Sequence, residues 1–256
     1  MTGEFSADWL TLREPADAAA RDRGLVDALR ATLTGPVVVR DLGCGTGSMG
    51  RWLAPQLGGP QHWVLMDRDP ALLEHAGAHL PDGVTVETRQ GDVTGLTGAD
   101  LAGTSLVTCS ALLDLLTVDE VEALAAACAE AGAAALFTLS VTGEVSLDPA
   151  DPLDDEVAAA FNEHQRRAIG GRRLLGPDAA DAAAAAFGKA GATVTVRPAP
   201  WRLDTDNGAL ATEWLRGWTG AALEQRPDLR LDDYREQRRS AGFVASVGHA
   251  DVLATF

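Results

Sequence analysis

The residues with the clearest chemistry lie in the N-terminal half. Asp41-Leu42-Gly43-Cys44-Gly45-Thr46-Gly47 sets an acid two positions before three alternating glycines. Glycines at that spacing remove the side chains that would collide with a ligand, and a helix that starts just after them offers free N–H groups. A phosphate would call for positive charge beside the turn, so Asp41 fits a ligand that is itself cationic. The dinucleotide fingerprint G-x-G-x-x-G needs its last glycine where Ser48 stands. No Gly-Lys-Ser/Thr follows, so the mononucleotide phosphate loop is absent too. Two further acids stand at strand ends, Asp67 closing one expected strand and Asp92 just beyond another; that is the edge where α/β proteins bind ligands.

Positioning these residues takes strands that stop in register. The apolar run at 37–41 reads as a buried strand, and further strands are expected at 62–66, 84–89, 106–109 and 134–141. Helical periodicity at 48–57, 70–79 and 118–131 separates them. The alternation predicts a doubly wound parallel sheet with helices on both faces. Before it, 16–33 reads as a helix with Pro15 in its first turn. After Thr142 the rhythm changes. The acidic stretch 143–156 reads as a loop, followed by a helix over 157–168 and a break at Gly170-Gly171. A helix over 178–190 and a strand over 193–197 restore the alternation. A Trp-rich helical segment over 210–239 is interrupted by Pro227, and a last strand over 243–256 carries an irregularity at Gly248-His249. The expectation is a single domain over 1–256: a helical lid (1–34), a ligand-binding half (35–142) and an acceptor-side half with inserted helices (143–256).

The Asp41–Gly47 motif resembles the first motif of class I S-adenosylmethionine-dependent methyltransferases. That resemblance implies a Rossmann-like, mostly parallel seven-stranded sheet with its last strand antiparallel, and S-adenosylmethionine as cofactor. It places Gly43, Cys44, Gly45 and Gly47 against the cofactor. It makes Asp67, with Arg68 beside it, the acid that holds the ribose hydroxyls, a task suited to a group with two acceptor oxygens. Asp92 and Val93 fall at the adenine, and Cys109-Ser110 under the methionine portion. Arg13 is a candidate clamp for the methionine carboxylate, since its fork matches that group; an ion pair with Glu14 or Asp17 is the competing reading.

Of the 256 residues, 37 are acidic and 21 are Lys or Arg, a formal charge of −16. Such a surface repels nucleic acid and anionic membranes. The Asn/Asp-Pro-Pro-Tyr tetrapeptide of resembling amino-methylating enzymes is missing, with Ser110-Ala111-Leu112-Leu113 in its place. These features predict a small-molecule acceptor, no nucleic-acid or membrane partner, and a cytoplasmic protein; the oligomeric state is open. Cys44, Cys109 and Cys128 are too few and too scattered for a disulfide framework, and His249 with Asp251 lacks the companions a metal needs. No metal is expected.

Methyl transfer from a sulfonium asks chiefly for proximity and alignment, and for a general base only where the acceptor must lose a proton. His164 and Asp114 are the candidate bases; their competing readings are a solvated helix histidine and a helix cap. Arg166, Arg167, Arg172 and Arg173 read either as recognition of an acidic acceptor or as a solvated face. Trp201, Trp214 and Trp218 read as acceptor lining or as core. Two other functions stay open: a regulatory protein, or catalyst of another reaction, that binds the same cofactor, and a nicotinamide oxidoreductase, against which Ser48 speaks.

Overall fold

A computed structural model describes residues 6–256. Its strands are Val37–Leu42 (β1), Gln61–Asp67 (β2), Thr85–Gln90 (β3), Leu106–Ser110 (β4) and Ala134–Asp148 (β5), then the short Ala168–Ile169 (β6) and Arg172–Arg173 (β7), and finally Thr193–Pro198 (β8), Trp201–Leu203 (β9) and Val244–Thr255 (β10). The main sheet runs β3-β2-β1-β4-β5-β10-β8. The first five strands are parallel, and β10 inserts antiparallel between β5 and β8. This is the doubly wound arrangement with an antiparallel last strand that the sequence implies, enlarged to eight strands by β9, which pairs with the start of β10. The glycine turn and Asp67 both fall at carboxyl ends of neighbouring parallel strands.

The helices are Ala7–Ala20 (α1), Arg23–Arg30 (α2), Ser48–Leu57 (α3), Pro70–Ala78 (α4), Val118–Ala131 (α5), Asp154–Gln165 (α6), Ala179–Lys189 (α7), Gly208–Gln225 (α8) and Asp232–Ala241 (α9). Leu25, Val26 and Leu29 of α2 join Leu53 of α3 and Leu73 of α4 on one face of the sheet. Val121, Leu124 and Cys128 of α5 and Phe187 of α7 cover the other. A separate core gathers α1, α6, α8 and β9 against the far ends of β5 and β10, around Leu139, Trp201, Trp214 and Trp218.

Several boundaries differ from the sequence reading, among them the helix expected over 157–168, which is α6 at Asp154–Gln165 with Ala168–Ile169 in β6 instead. The single helix expected over 16–33 is two helices. Asp22 caps α2 by accepting the Leu25 N–H at 2.8 Å, and Arg21 turns extended between them. Pro15 lies inside α1 rather than in a first turn. The acidic stretch expected as a loop continues β5 to Asp148, because β10 pairs with it over 244–247. Around Pro227 the chain leaves helix altogether, giving α8 and α9. The Gly248-His249 irregularity is a register shift between Val247 and His249.

Candidate active site

Gly43, Gly45 and Gly47 all take positive φ, at 60°, 54° and 87°. The turn is tied to β2 by the Cys44 N–H donating to the Met66 carbonyl at 2.9 Å. Asp67 links the same elements: Oδ2 accepts the Gly45 N–H at 2.9 Å and Oδ1 the Asp69 N–H at 3.0 Å. The carboxylate is only half-buried, and each oxygen retains a second acceptor position. At the start of α3 Gly47 supplies no side-chain cap, so the first N–H groups of that helix stay available. A Cβ on Gly43 would stand 3.1 Å from Leu112, and one on Gly45 3.1 Å from Leu10 of α1. Glycine at these two positions lets Leu112 and Leu10 pack directly on the turn.

Beneath the turn Asp41 is fully buried. Its Oδ1 accepts the Thr108 hydroxyl at 2.8 Å, and its Oδ2 is buried with no partner. Burial pushes its pKa up to about 7. Arg21, which the sequence reading did not single out, comes to the same place from the end of α1. Its Nε donates to Thr138 at 3.3 Å and its Nη2 to Ser48 and Ser110 at 3.2 and 2.9 Å. The guanidinium lies over Trp52 at 5.4 Å. Its Nη1 is buried and unpartnered. Asp41 and Arg21 feel each other's charge. A buried acid and a buried arginine, each with an unmet atom, fit a ligand that carries a cation and a carboxylate, as S-adenosylmethionine does.

Arg13 is placed otherwise. Its Nε binds both oxygens of Asp17, at 3.2 and 3.0 Å, which is the competing ion pair, here buried instead of solvated. Asp92 lies past the end of β3, its Oδ1 accepting the Thr94 N–H and hydroxyl at 2.9 and 2.8 Å; these bonds lower its pKa and leave Oδ2 free. Val93 packs against the core beside it, and Arg68 is exposed. Burial in the cores on the two faces of the sheet raises the thiol pKa values of Cys44 and Cys109, so neither is a nucleophile.

Asp114 follows β4 in the 3-10 turn Leu113–Leu115. Burial raises its pKa, partly offset by its own backbone and by the charges of Arg13 and Arg167. His164, at the end of α6, instead bonds Glu224 of α8 at 3.2 Å, with Arg167 against its Nδ1; its partners belong to the α6–α8 seam, not to the glycine turn. The arginine run is largely committed: Arg166 pairs with Asp178 and Arg172 with Glu120. Trp214 and Trp218 stack at 5.0 Å between centroids and are buried. With Ser6, Trp9, Leu12 and Phe161 they line a cavity of about 460 Å³ between α1, α6 and α8. His249 is fixed through Nδ1 to the Val247 carbonyl at 3.0 Å, and burial lowers its pKa to about 3. Asp251 accepts the Asp22 and Leu139 N–H groups, each at 2.8 Å. Ala111 and Leu139 beside the site hold positive φ, 50° and 58°, strain of the kind that gathers at functional sites. Among the described residues no group of three or more His, Cys, Asp and Glu stands close enough to hold a metal, and no helix is long and apolar enough to cross a membrane.

A family profile described as a methyltransferase domain matches residues 39–132. No curated protein sequence matches the chain. Among solved structures, the YcgJ protein from Bacillus subtilis is similar over 91% of this chain and 98% of its own, at 13% identity and a TM-score of 0.55. The cyclopropane synthase MmaA2 from Mycobacterium tuberculosis covers 98% of this chain and 95% of its own, at 14% identity and a TM-score of 0.53. A putative methyltransferase from Bacillus halodurans covers 90% and 96%, at 17% identity and a TM-score of 0.50. At those identities the likeness is one of fold.

Proposed function

We propose, from the methyltransferase-domain profile over residues 39–132, that the chain is a class I S-adenosylmethionine-dependent methyltransferase that methylates an oxygen or nitrogen of a small-molecule acceptor held between the glycine turn and helices α1, α6 and α8. The observation that carries the reading is the pair of unmet buried atoms, Asp41 Oδ2 and Arg21 Nη1, below a glycine turn bound to Asp67. Residues 6–256 act here as one catalytic unit, since β10 of the C-terminal half lies inside the sheet.

When bound, the cofactor supplies an electrophilic methyl on a sulfonium. The chain's own contribution is placement. Asp67 would hold the ribose hydroxyls on its free lone pairs and Asp92 the adenine amine on Oδ2. Gly43, Cys44, Gly45 and Gly47 give the close approach, and the Cys109-Ser110 end of β4 supports the methionine portion. Arg21, rather than Arg13, takes the carboxylate, and Asp41 faces the positive charge. Asp114 is the proton acceptor this reading prefers over His164: it follows β4 directly, whereas His164 is held in the α6–α8 seam by Glu224. A small acceptor agrees with the net charge of −16 and with the half-open cavity beside α1, walled in part by Trp9, Phe161, Trp214 and Trp218.

Calorimetric titration with S-adenosylhomocysteine, methylthioadenosine and NADH tests the reading. The two nucleosides should bind and NADH should not. Arg21→Gln should weaken S-adenosylhomocysteine about 10-fold or more and spare methylthioadenosine, which lacks the carboxylate, because a hydrogen bond to a charged group contributes about 1.5–3 kcal/mol. NADH binding without a response to S-adenosylhomocysteine, or equal losses for both nucleosides in Arg21→Gln, would overturn it.

A further inference from the structure

The cavity of about 460 Å³ between α1, α6 and α8 is walled mainly by flat side chains. Trp214 and Trp218 of α8 stack at 5.0 Å with their planes 14° apart, and both are buried. Trp9 and Leu12 of α1 and Phe161 of α6 complete the apolar wall, each only partly buried. A volume of this size, mostly apolar with a few polar groups at its edge, has the character of a small-molecule site. Gly217 bears on why the space stays open. It lies inside α8 and lines the cavity. Its φ is not positive, and a Cβ there would meet nothing packed against it within 4 Å among the described residues. Neither the backbone nor the packing therefore calls for glycine, which in a helix interior is less stable than any residue but proline. What it does provide is a bare stretch of helix beside the stacked indoles.

The ionic groups of the lining leave one sign over. Glu213 and Arg216 neutralise each other, with Arg216 Nε and Nη2 donating to Glu213 Oε2 at 3.0 and 2.6 Å. Asp8, exposed in the first turn of α1, is the remaining one and has no ion-pair partner among the described residues. We propose that this cavity binds a planar aromatic amine: its ring system lies against Trp9, Phe161 and the two stacked indoles, and its ammonium at the Asp8 carboxylate. Aromatic rings gain from offset and edge contacts with one another, and their faces attract cations. The net charge of −16 disfavours the corresponding acids. That the bound amine is the methyl acceptor rests on the proposed function; the binding preference stands apart from it.

The test uses the purified full chain, with and without saturating S-adenosylhomocysteine, and three probes of one ring system: naphthylmethylamine, naphthylmethanol and naphthoate. Quenching of tryptophan fluorescence and calorimetry give the affinities. The wild type should bind the amine at least about threefold more tightly than the alcohol, the scale of one exposed charge pair, and naphthoate more weakly than either. Gly217→Leu puts a side chain into the cavity and should weaken amine and alcohol about 10-fold or more. Its unfolding midpoint in denaturant should stay at or above that of the wild type, because leucine is the better helix former. Asp8→Asn should bring the amine-to-alcohol ratio close to one and leave the alcohol's affinity within about twofold. No binding of the amine, binding of the alcohol or naphthoate as tight as that of the amine, or affinities untouched by Gly217→Leu overturns the proposal. A Gly217→Leu chain that fails to fold also overturns it, since the space would then not be open. An Asp8→Asn ratio equal to that of the wild type refutes the placement of the ammonium. Should S-adenosylhomocysteine itself not bind, the cofactor reading falls, and the probe ratios of the cofactor-free protein still judge the cavity.

Discussion

Replacing Asp67 with alanine separates what this carboxylate does for the ligand from what it does for the fold. Its oxygens already accept two backbone N–H groups, from Gly45 and Asp69. Losing them leaves the glycine turn without one of its ties to β2, although the Cys44–Met66 bond remains. Because Gly45 is only half-buried, water can replace part of the loss, and the stability cost should stay at about 1 kcal/mol. The ligand cost is larger. Two ribose hydroxyls donating to one carboxylate should together contribute about 1.5–3 kcal/mol, so S-adenosylhomocysteine should bind about 10- to 150-fold more weakly. Asparagine is a poor control, since its amide would turn a donor toward one of two backbone donors. Calorimetric titration gives the affinity, and denaturant unfolding without ligand gives the stability. An affinity within about threefold of the wild type, with the expected small loss of stability, would refute the ribose assignment.

Gly47→Ala should destabilise the fold by about 1–2 kcal/mol, because φ is 87° and the new Cβ would stand 3.2 Å from the Ala76 Cβ; unfolding in denaturant would show it, and an unchanged midpoint would contradict the geometry. Burial raises Asp41 to about 7 and Asp251 to about 6, above roughly 3.9 for a free aspartate. Across that window the folded chain keeps protons that the unfolded chain has released, so both groups subtract stability as pH rises from about 4 to 7. Asp41→Asn removes one of them. Its stability relative to the wild type should therefore increase over that range, and a pH-independent difference between the two proteins would sink the burial argument.

The cofactor half was legible because its requirements are local. Alternating glycines after a strand, or an acid at a strand end, declare themselves within a few positions, and helices 48–57 and 118–131 stop at Gly58 and Gly132. What the sequence hid depends on distant partners. Residues 143–148 look like an acidic loop until β10 returns from 244–247 to pair with them. Helical periodicity ran across Arg21 and Asp22, so the break was invisible without Asp251, which accepts the Asp22 N–H from the far end of the chain.

That break decides which arginine goes where. Were 16–33 one helix, Arg21 would follow the helical screw of α1 and could not extend to Ser48, Ser110 and Thr138. By leaving helical geometry at Arg21, the chain sends this side chain to the strand ends while Arg13, still within α1, stays over Trp201. Asp251 reinforces the division, because the same carboxylate that receives Asp22 also receives the N–H of Leu139 in its strained left-handed conformation. One buried acid thus ties the α1–α2 junction to β5, and the position of Arg21 becomes a property of the hinge. Arg13 and Arg21 are alike in charge and burial; the backbone break between them is what gives the two guanidiniums different partners.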